Sequence, residues 1–563
     1  MKKDLILLTL LILPAFAPLL QRGYFSMHDD MQSIRQMKMD QCLADLQFPC
    51  RWSLDLGYGY GYPLFNYYPP LPYLIGQPFR WLGFQYIDIV KIVGILGFAT
   101  AAAFMYLLSK EFWGRLGGLV AAAFYTYAPY HSVDFYVRGA INEFWALALF
   151  PAIFYSTYKL IVPSPRLGEG NGVRYIPFVA LSVAGLMLSH NPILMIFTPF
   201  LILWCLFWIF KLKRLNILVS LGLSALWAFG LAAFFTLPVL FETKFVSVWT
   251  LISGYFNYLA HFLDLNQIFL RINWGYGESV YGPGDTMSFA LGYLHWIIPA
   301  AIVILMPFSQ KLRKHWQLIL FSIFFFSFSL FMSHFKATPI WLLIKPLEFL
   351  QFPWRFLTLA IFAASFLSGA IVLVIPRKIS LFLISLIILL NANYFRPRQW
   401  YPDMTDAQKF SGKSWQLLIT SGIFDYLPKW APMPPVDPAP GDIRFVSGDG
   451  IYSTLVKKTN RQEYLITTWT PTAVAELQTY YFPGWKIWVD GKEVGIDPSR
   501  DKLLGRMQVD LSPGKHQILA RFTNTPIRTI GNTLSLLSWL VLLAFLIRSN
   551  YKVKSLSSKS LAF

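Results

Sequence analysis

The stretch Ser26-Met27-His28-Asp29-Asp30-Met31 places two adjacent carboxylates just beyond the first apolar run of the chain. Ionised carboxylates at a membrane boundary need a partner, a metal or water. Asp is a good N-cap and its charge suits a helix N-terminus, so the pair would serve to start a helix near Met31. The second chemistry is general-base catalysis, with a divalent cation on Asp29 and Asp30 if the reaction uses a metal. The two roles are compatible, because a base can be held by the helix it precedes.

Other residues able to do chemistry lie in similar places. The stretch Gly57 to Tyr73, "GYGYGYPLFNYYPPLPY", alternates aromatics with Gly and Pro, which rules out a regular helix. Its tyrosines, Tyr60, Tyr67 and Tyr68 among them, read either as an interfacial aromatic belt or as a surface against sugar or lipid. "HSVDFYVRGAINEFW", His131 to Trp145, carries Asp134, Arg138 and Glu143 in one connection. Glu143 reads as a helix-start charge or a second site acid; Arg138 could pair with it or hold a phosphate. His190 interrupts an apolar stretch at a tight turn, where a hydrogen-bonded structural His is the simpler reading. In "KPLEFLQFPWRF", Lys345 to Phe356, Arg355 either snorkels or binds an anion, and planar Arg suits phosphate. Glu278 and Asp285 sit in a Gly-rich stretch that reads, on its own, as a surface loop.

The elements that must position these residues are membrane helices. Of 563 residues 55% are hydrophobic and 14% charged, against about 25% charged in soluble proteins. The net charge of +19 does not point to nucleic acid, because the bases lie in short segments between apolar runs. Twelve spans are expected: 4–20, 89–109, 117–131, 143–161, 175–189, 192–210, 217–240, 289–307, 317–333, 354–375, 379–394 and 531–547. Basic clusters at Lys2-Lys3, Lys110 and Arg115, Lys211 to Arg214, Lys311 to Lys314, Arg377-Lys378 and the tail from Arg548 fall on one side. This predicts a multi-pass plasma-membrane protein with both termini cytoplasmic and its active face extracytoplasmic. Large outer loops are expected at 21–88 and 241–288.

Three parts follow: a transmembrane domain over 1–394, an outer domain over 395–530 that is β-rich at 440–525, and a final span with a basic tail over 531–563. Ile466 to Trp469, Lys486 to Asp490 and Gln517 to Phe522 read as strands, and Asp490-Gly491 as a hairpin turn. "WAPMPPVDPAPG", Trp430 to Gly441, reads as a proline-rich linker. Trp485 and Trp488 would point to opposite faces of a strand. Cys42 and Cys50 could pair if their loop is outside the cell.

Carboxylates, arginines, aromatic loops and a β-domain on one face suit a transferase with a lipid-phosphate donor. No GxxxxGK[ST] nucleotide signature is present. The motifs "MHDDM", "PCRW", "GYGYPLFNYYPPLPY", "VRGAINE", "WGYGESVYG", "LQFPWRFL" and "YYFPGWKIWVDGKEV" span nearly the whole chain. In this layout the chain resembles the GT-C superfamily of integral membrane glycosyltransferases. It is most similar to the YfhO-like bacterial membrane proteins and to the group labelled "6-pyruvoyl-tetrahydropterin synthase-related, membrane protein". The eight His are all isolated, so the resemblance carries no pterin chemistry.

The resemblance implies a polytopic α-helical, GT-C-like fold. It implies transfer of a sugar from a polyprenyl-phosphate carrier to an envelope glycan or lipid acceptor at the membrane. Asp29 or Asp30 would be the general base, with Asp29 favoured, Glu143 a supporting acid and Arg355 the phosphate ligand. His28, Tyr60, Tyr67, Tyr68, Arg138, His190, Glu278 and Gln351 are expected to contact substrate. The competing expectations are a transporter or flippase of lipid-linked glycan, and a non-catalytic envelope scaffold.

Overall fold

The computed structural model describes residues 2–162, 173–271, 273–281, 284–422 and 425–559. Among these, nine helices are long and apolar enough to cross a membrane, and Ile176–Met187 and Tyr293–Phe308 are shorter apolar helices. The longest, Tyr86–Thr126, is not one straight rod. At Gly114 the backbone takes φ +72°, a conformation that suits glycine, and the chain turns back on itself. Gly118 then lies against the Tyr106 ring and carbonyl, with 2.9 Å from an added Cβ to each. Two residues twelve apart in a straight helix would be some 18 Å apart.

Close packing inside this bundle fixes the second outer connection. Gly94 and Gly97 present no side chain, so the Phe135 and Phe144 rings sit directly on the helix. A Cβ at either glycine would come within 2.1 and 2.3 Å of those rings. Small residues perform this role in membrane helices, where tight backbone approach replaces a hydrophobic driving force. Phe98 continues the contact onto Phe144, with ring centroids 4.7 Å apart. The segment between them, Val133–Val137, is a buried π-helical turn, and Ile141–Ile161 follows as a span.

The long segment after the first apolar helix is folded rather than loose. It contains the helix Gln32–Ala44 and a disulfide between Cys42 and Cys50. Arg51 ties it to two membrane helices, donating to the Phe234 carbonyl at 2.9 Å and to Asn532 at 2.8 Å. Strand β1 (Tyr24–Phe25) pairs antiparallel with β2 (Trp400–Tyr401), joining the start of this loop to the outer domain.

The β-rich region is a two-sheet antiparallel sandwich. Its strands are β3 (Ile443–Ser447), β4 (Gly450–Lys457), β5 (Arg461–Thr468), β6 (Ala473–Tyr480), β7 (Trp485–Val489), β8 (Lys492–Val494), β9 (Arg506–Leu511) and β10 (Gly514–Phe522). One sheet runs β4-β5-β10-β7-β8 and the other β3-β6-β9. Asp490-Gly491 makes the β7–β8 turn with both φ positive, at 49° and 81°, as such a sequence favours. Trp485 packs in the core edge-on to Trp52, centroids 5.5 Å apart, while Trp488 lies on the opposite, half-buried face.

The Pro-rich stretch is packed rather than a free linker. Trp430 stacks on Phe245, centroids 6.2 Å apart, and Ala439 donates its N–H to the Tyr58 carbonyl at 2.8 Å. Two short helices that hydropathy does not reveal, Asp406–Lys409 and Gly412–Thr420, precede the sandwich. Asp406 anchors them by accepting from the Tyr86 and Ile87 N–H groups at 2.8 and 3.2 Å, so it caps the long hairpin helix from far along the chain.

Candidate functional site

At one end of the bundle the connecting segments enclose a cavity of about 810 Å³. Every residue expected to touch substrate lines it except Tyr60. Tyr60 instead packs on Tyr480 of the sandwich, centroids 5.4 Å apart, beneath Arg506. The Gly residues on either side have positive φ and turn this part of the loop away from the cavity.

Asp29 and Asp30 are adjacent in sequence and differently held. The helix after them starts at Gln32, with Met31 at the N-cap and no side-chain cap, so the capping role is not what fixes them. Backbone bonds do so instead: His28 N–H and Asp29 N–H donate to the Val137 and Arg138 carbonyls, both at 2.9 Å. The first and second outer connections are thereby laced together. Asp29 accepts from Arg35 at 2.6 Å and from Gln32 at 2.9 Å, both on Oδ2. Its Oδ1 takes no bond from a described residue, and the side chain is 37% exposed. Asp30 forms an ion pair with Lys409 of the segment 406–426, which roofs the cavity, and its Oδ1 is buried without a partner. Burial raises the Asp30 carboxyl above the usual range against the pull of Lys409.

The expected metal pair is thus divided between two cations. Among the described residues no group of three or more His, Cys, Asp or Glu is arranged to hold a metal ion.

The second outer connection builds a buried charge network. Glu143 accepts from Tyr130 at 2.7 Å on Oε1, and from Arg355 at 2.9 Å and Arg138 at 3.0 Å on Oε2. Arg138 also pairs with Asp134, and its guanidinium lies 4.5 Å from the Trp354 ring centroid. Glu143 is thus the carboxylate shared by both guanidiniums, while burial and the Glu143 charge raise the Asp134 carboxyl well above the usual range. Glu143 is fully buried with both oxygens engaged, which suits holding the arginines in place better than exchanging protons.

Arg355 is further held by the Leu350 carbonyl at 2.6 Å and Gln351 Oε1 at 3.0 Å. Gln351 has φ +66°, an unfavourable conformation for a non-glycine residue, and donates to the Leu251 carbonyl at 3.0 Å. His190 Nδ1 accepts the Ile193 N–H at 3.2 Å, which caps the helix Asn191–Leu212. Burial, together with the nearby Arg355, pushes the imidazole down to about 3, so it is neutral with its proton on Nε2. His28 Nε2 meets the Tyr276 carbonyl at 2.9 Å. Glu278 is exposed on the cavity wall, with no side-chain partner among the described residues.

Tyr68 receives the Arg35 bond at 2.9 Å and carries the guanidinium over its ring at 4.2 Å. Tyr67 donates to the Glu242 carbonyl at 2.6 Å and stacks on Tyr426.

Sequence reading missed Arg35, Lys409 and Asp425. Lys409 and Asp425 reach the cavity from the roof, which no local pattern links to the first loop. Arg35 stands six residues after Asp29, which lies outside the helix that carries Arg35, so the three- and four-residue spacing of helix neighbours gave no signal for the pair.

No protein-family model matches this chain. A protein of Lactococcus lactis subsp. cremoris (strain MG1363), named "Uncharacterized protein", is 28% identical over 256 residues. The match covers 43% of this chain and 39% of that protein, well under two thirds of its length.

Proposed function

We propose that this chain is a GT-C-type membrane glycosyltransferase that moves a sugar from a polyprenyl-phosphate carrier to an extracytoplasmic acceptor. The observation that carries the reading is the pairing, within one cavity, of a carboxylate with one free oxygen and a set of anchored donors. In the step we envisage, the acceptor hydroxyl gives its proton to Asp29 Oδ1 and its oxygen bonds to the anomeric carbon. The bond from that carbon to the phosphate oxygen breaks, and its electron pair leaves on the phosphate. Arg355 and the His190 Nε2–H would receive the developing charge, preorganised by the Glu143 network. Asp30 is a poorer base, because one oxygen is taken by Lys409 and the other is buried.

The layout supports the same reading. Among the described residues nine helices are long and apolar enough to cross a membrane, one of them folded into a hairpin at Gly114, which is compatible with a multi-pass enzyme of this type. The buried ion pair of Glu143 and Arg355 lies at helix starts and not at mid-span, which favours a transferase over a transporter. The test is transfer of labelled sugar from polyprenyl-phosphate donors by protein in lipid nanodiscs, with Asp29→Asn and Asp30→Asn alongside. Wild-type turnover that vanishes in Asp29→Asn alone is expected. No turnover with any donor, by protein that remains folded, overturns the reading.

A further inference from the structure

The roof of the cavity supplies a carboxylate to which no role has yet been given. Asp425 lines the cavity beside Asp29, and the charged groups acting on it are Arg35 and Asp29. Its side chain accepts no hydrogen bond from any described residue, although it is only partly exposed. One guanidinium, that of Arg35, is therefore faced by two carboxylates, each with oxygen left over for a ligand. The aromatic walls at this end are Tyr68, with Arg35 on its face, and Tyr426, stacked 5.4 Å from Tyr67.

We propose that Asp29 and Asp425 form a two-carboxylate clamp for adjacent hydroxyls of a saccharide, so that the acceptor is a sugar and not a lipid alcohol or a protein hydroxyl. This rests on the transferase reading for its place in a reaction, but not for the binding itself. A carboxylate accepts only, and two of them near one fixed cation can take a pair of neighbouring O–H donors. A long-chain alcohol offers one donor and would leave the second carboxylate without a partner. A sugar ring also has an apolar face for the tyrosines.

Asp425 does not belong to the donor end of the cavity, so its loss should spare the donor. Burial raises its carboxyl to about 6, with Arg35 working the other way and Asp29 adding to the rise. The clamp is accordingly complete above that pH and weakens as Asp425 takes up a proton below it. The groups that face Asp425 are Asp29, Arg35, Tyr62, Tyr68 and Tyr426.

Binding can be read without turnover. Full-length protein in nanodiscs is mixed with neutral oligosaccharides, glycerol and a short-chain alcohol, and contact is followed by saturation-transfer NMR. Oligosaccharide contact is expected at pH 7.5, weaker by about tenfold or more in Asp425→Asn and at pH 5, and rescued in part by Asp425→Glu. Thermal melting checks that both variants fold. If transfer is obtained, Asp425→Asn should raise KM for the acceptor and leave KM for the donor unchanged. Oligosaccharide binding that Asp425→Asn does not alter, or contact by the alcohol alone, overturns the clamp. Asp425-dependent sugar binding with no transfer by any donor keeps the clamp and removes the transferase.

Discussion

Glu143→Gln is the substitution that most directly tests the buried network. It keeps the shape of the side chain and removes one charge. Arg138 still has Asp134, but Glu143 is the only carboxylate within ion-pair distance of Arg355 among the described residues. The amide oxygen can accept from one guanidinium, and the amide N–H₂ must then face the other. Breaking one partner of a buried pair costs about 3–5 kcal/mol. The lower end applies here, because Arg355 keeps its bonds to Leu350 and Gln351, so we expect about 3 kcal/mol. That is a large part of the ordinary margin of about 5–15 kcal/mol.

The assay is thermal unfolding in nanodiscs, followed by reaction of a membrane-permeant thiol probe with Cys205, the chain's one cysteine outside the disulfide. Adding Arg355→Leu to Glu143→Gln should recover much of the loss, because the unpaired charge disappears with the arginine. A loss within about 0.5 kcal/mol for Glu143→Gln would match an ordinary surface change and refute the argument. So would a double variant whose loss is the sum of the two single ones.

Two further outcomes follow from local geometry. Gly114→Ala meets no atom within 4 Å, so only its backbone of φ +72° and ψ −177° opposes it, and a cost of roughly 1–3 kcal/mol is expected in the same melt. In the sandwich, His516 Nδ1 contacts Asp490 at 2.7 Å and Nε2 contacts the Ser512 carbonyl at 2.9 Å, so only the protonated ring can donate to both. Burial alone would depress its pKa, but these two bonds raise it. A raised folded-state value means that the clamp's stabilisation is complete below about 6.5 and is lost as pH rises through the folded pKa. Amide protection at residues 512–517, taken relative to intrinsic exchange at each pH, should therefore fall over that window, and His516→Gln should abolish that fall.

Hydropathy, basic loops and turn chemistry made the helices, the Asp490-Gly491 hairpin and the cavity's charged residues from the first two connections legible, because each is a local pattern. The failures share one cause. Tyr60 has the same neighbours in kind as Tyr67 and Tyr68, and only the direction of a glycine-rich turn separates the sandwich from the cavity. Lys409 finds Asp30 across 379 positions, and Asp406 caps a helix 319 and 320 positions away. No window along the chain contains both partners. Composition also hid the roof, since Asp406–Lys409 and Gly412–Thr420 are too short to give a periodic signal.

The same limit explains why two identical neighbours in the sequence have different prospects in the cavity. Asp29 is bonded twice on one oxygen, by residues of the helix that follows it, so its orientation is fixed while its other oxygen stays open. Asp30 points the other way, its charge met by the roof and its second oxygen shut in. A group that is held and yet unfinished can accept a proton without reorganising its surroundings. One whose ion pair closes the cavity must break that contact first. Asp30→Asn should therefore act through the roof, by loosening Lys409, and slow transfer without abolishing it. If Asp30→Asn instead removes all turnover while Asp29→Asn keeps it, the open oxygen is not the one that reacts.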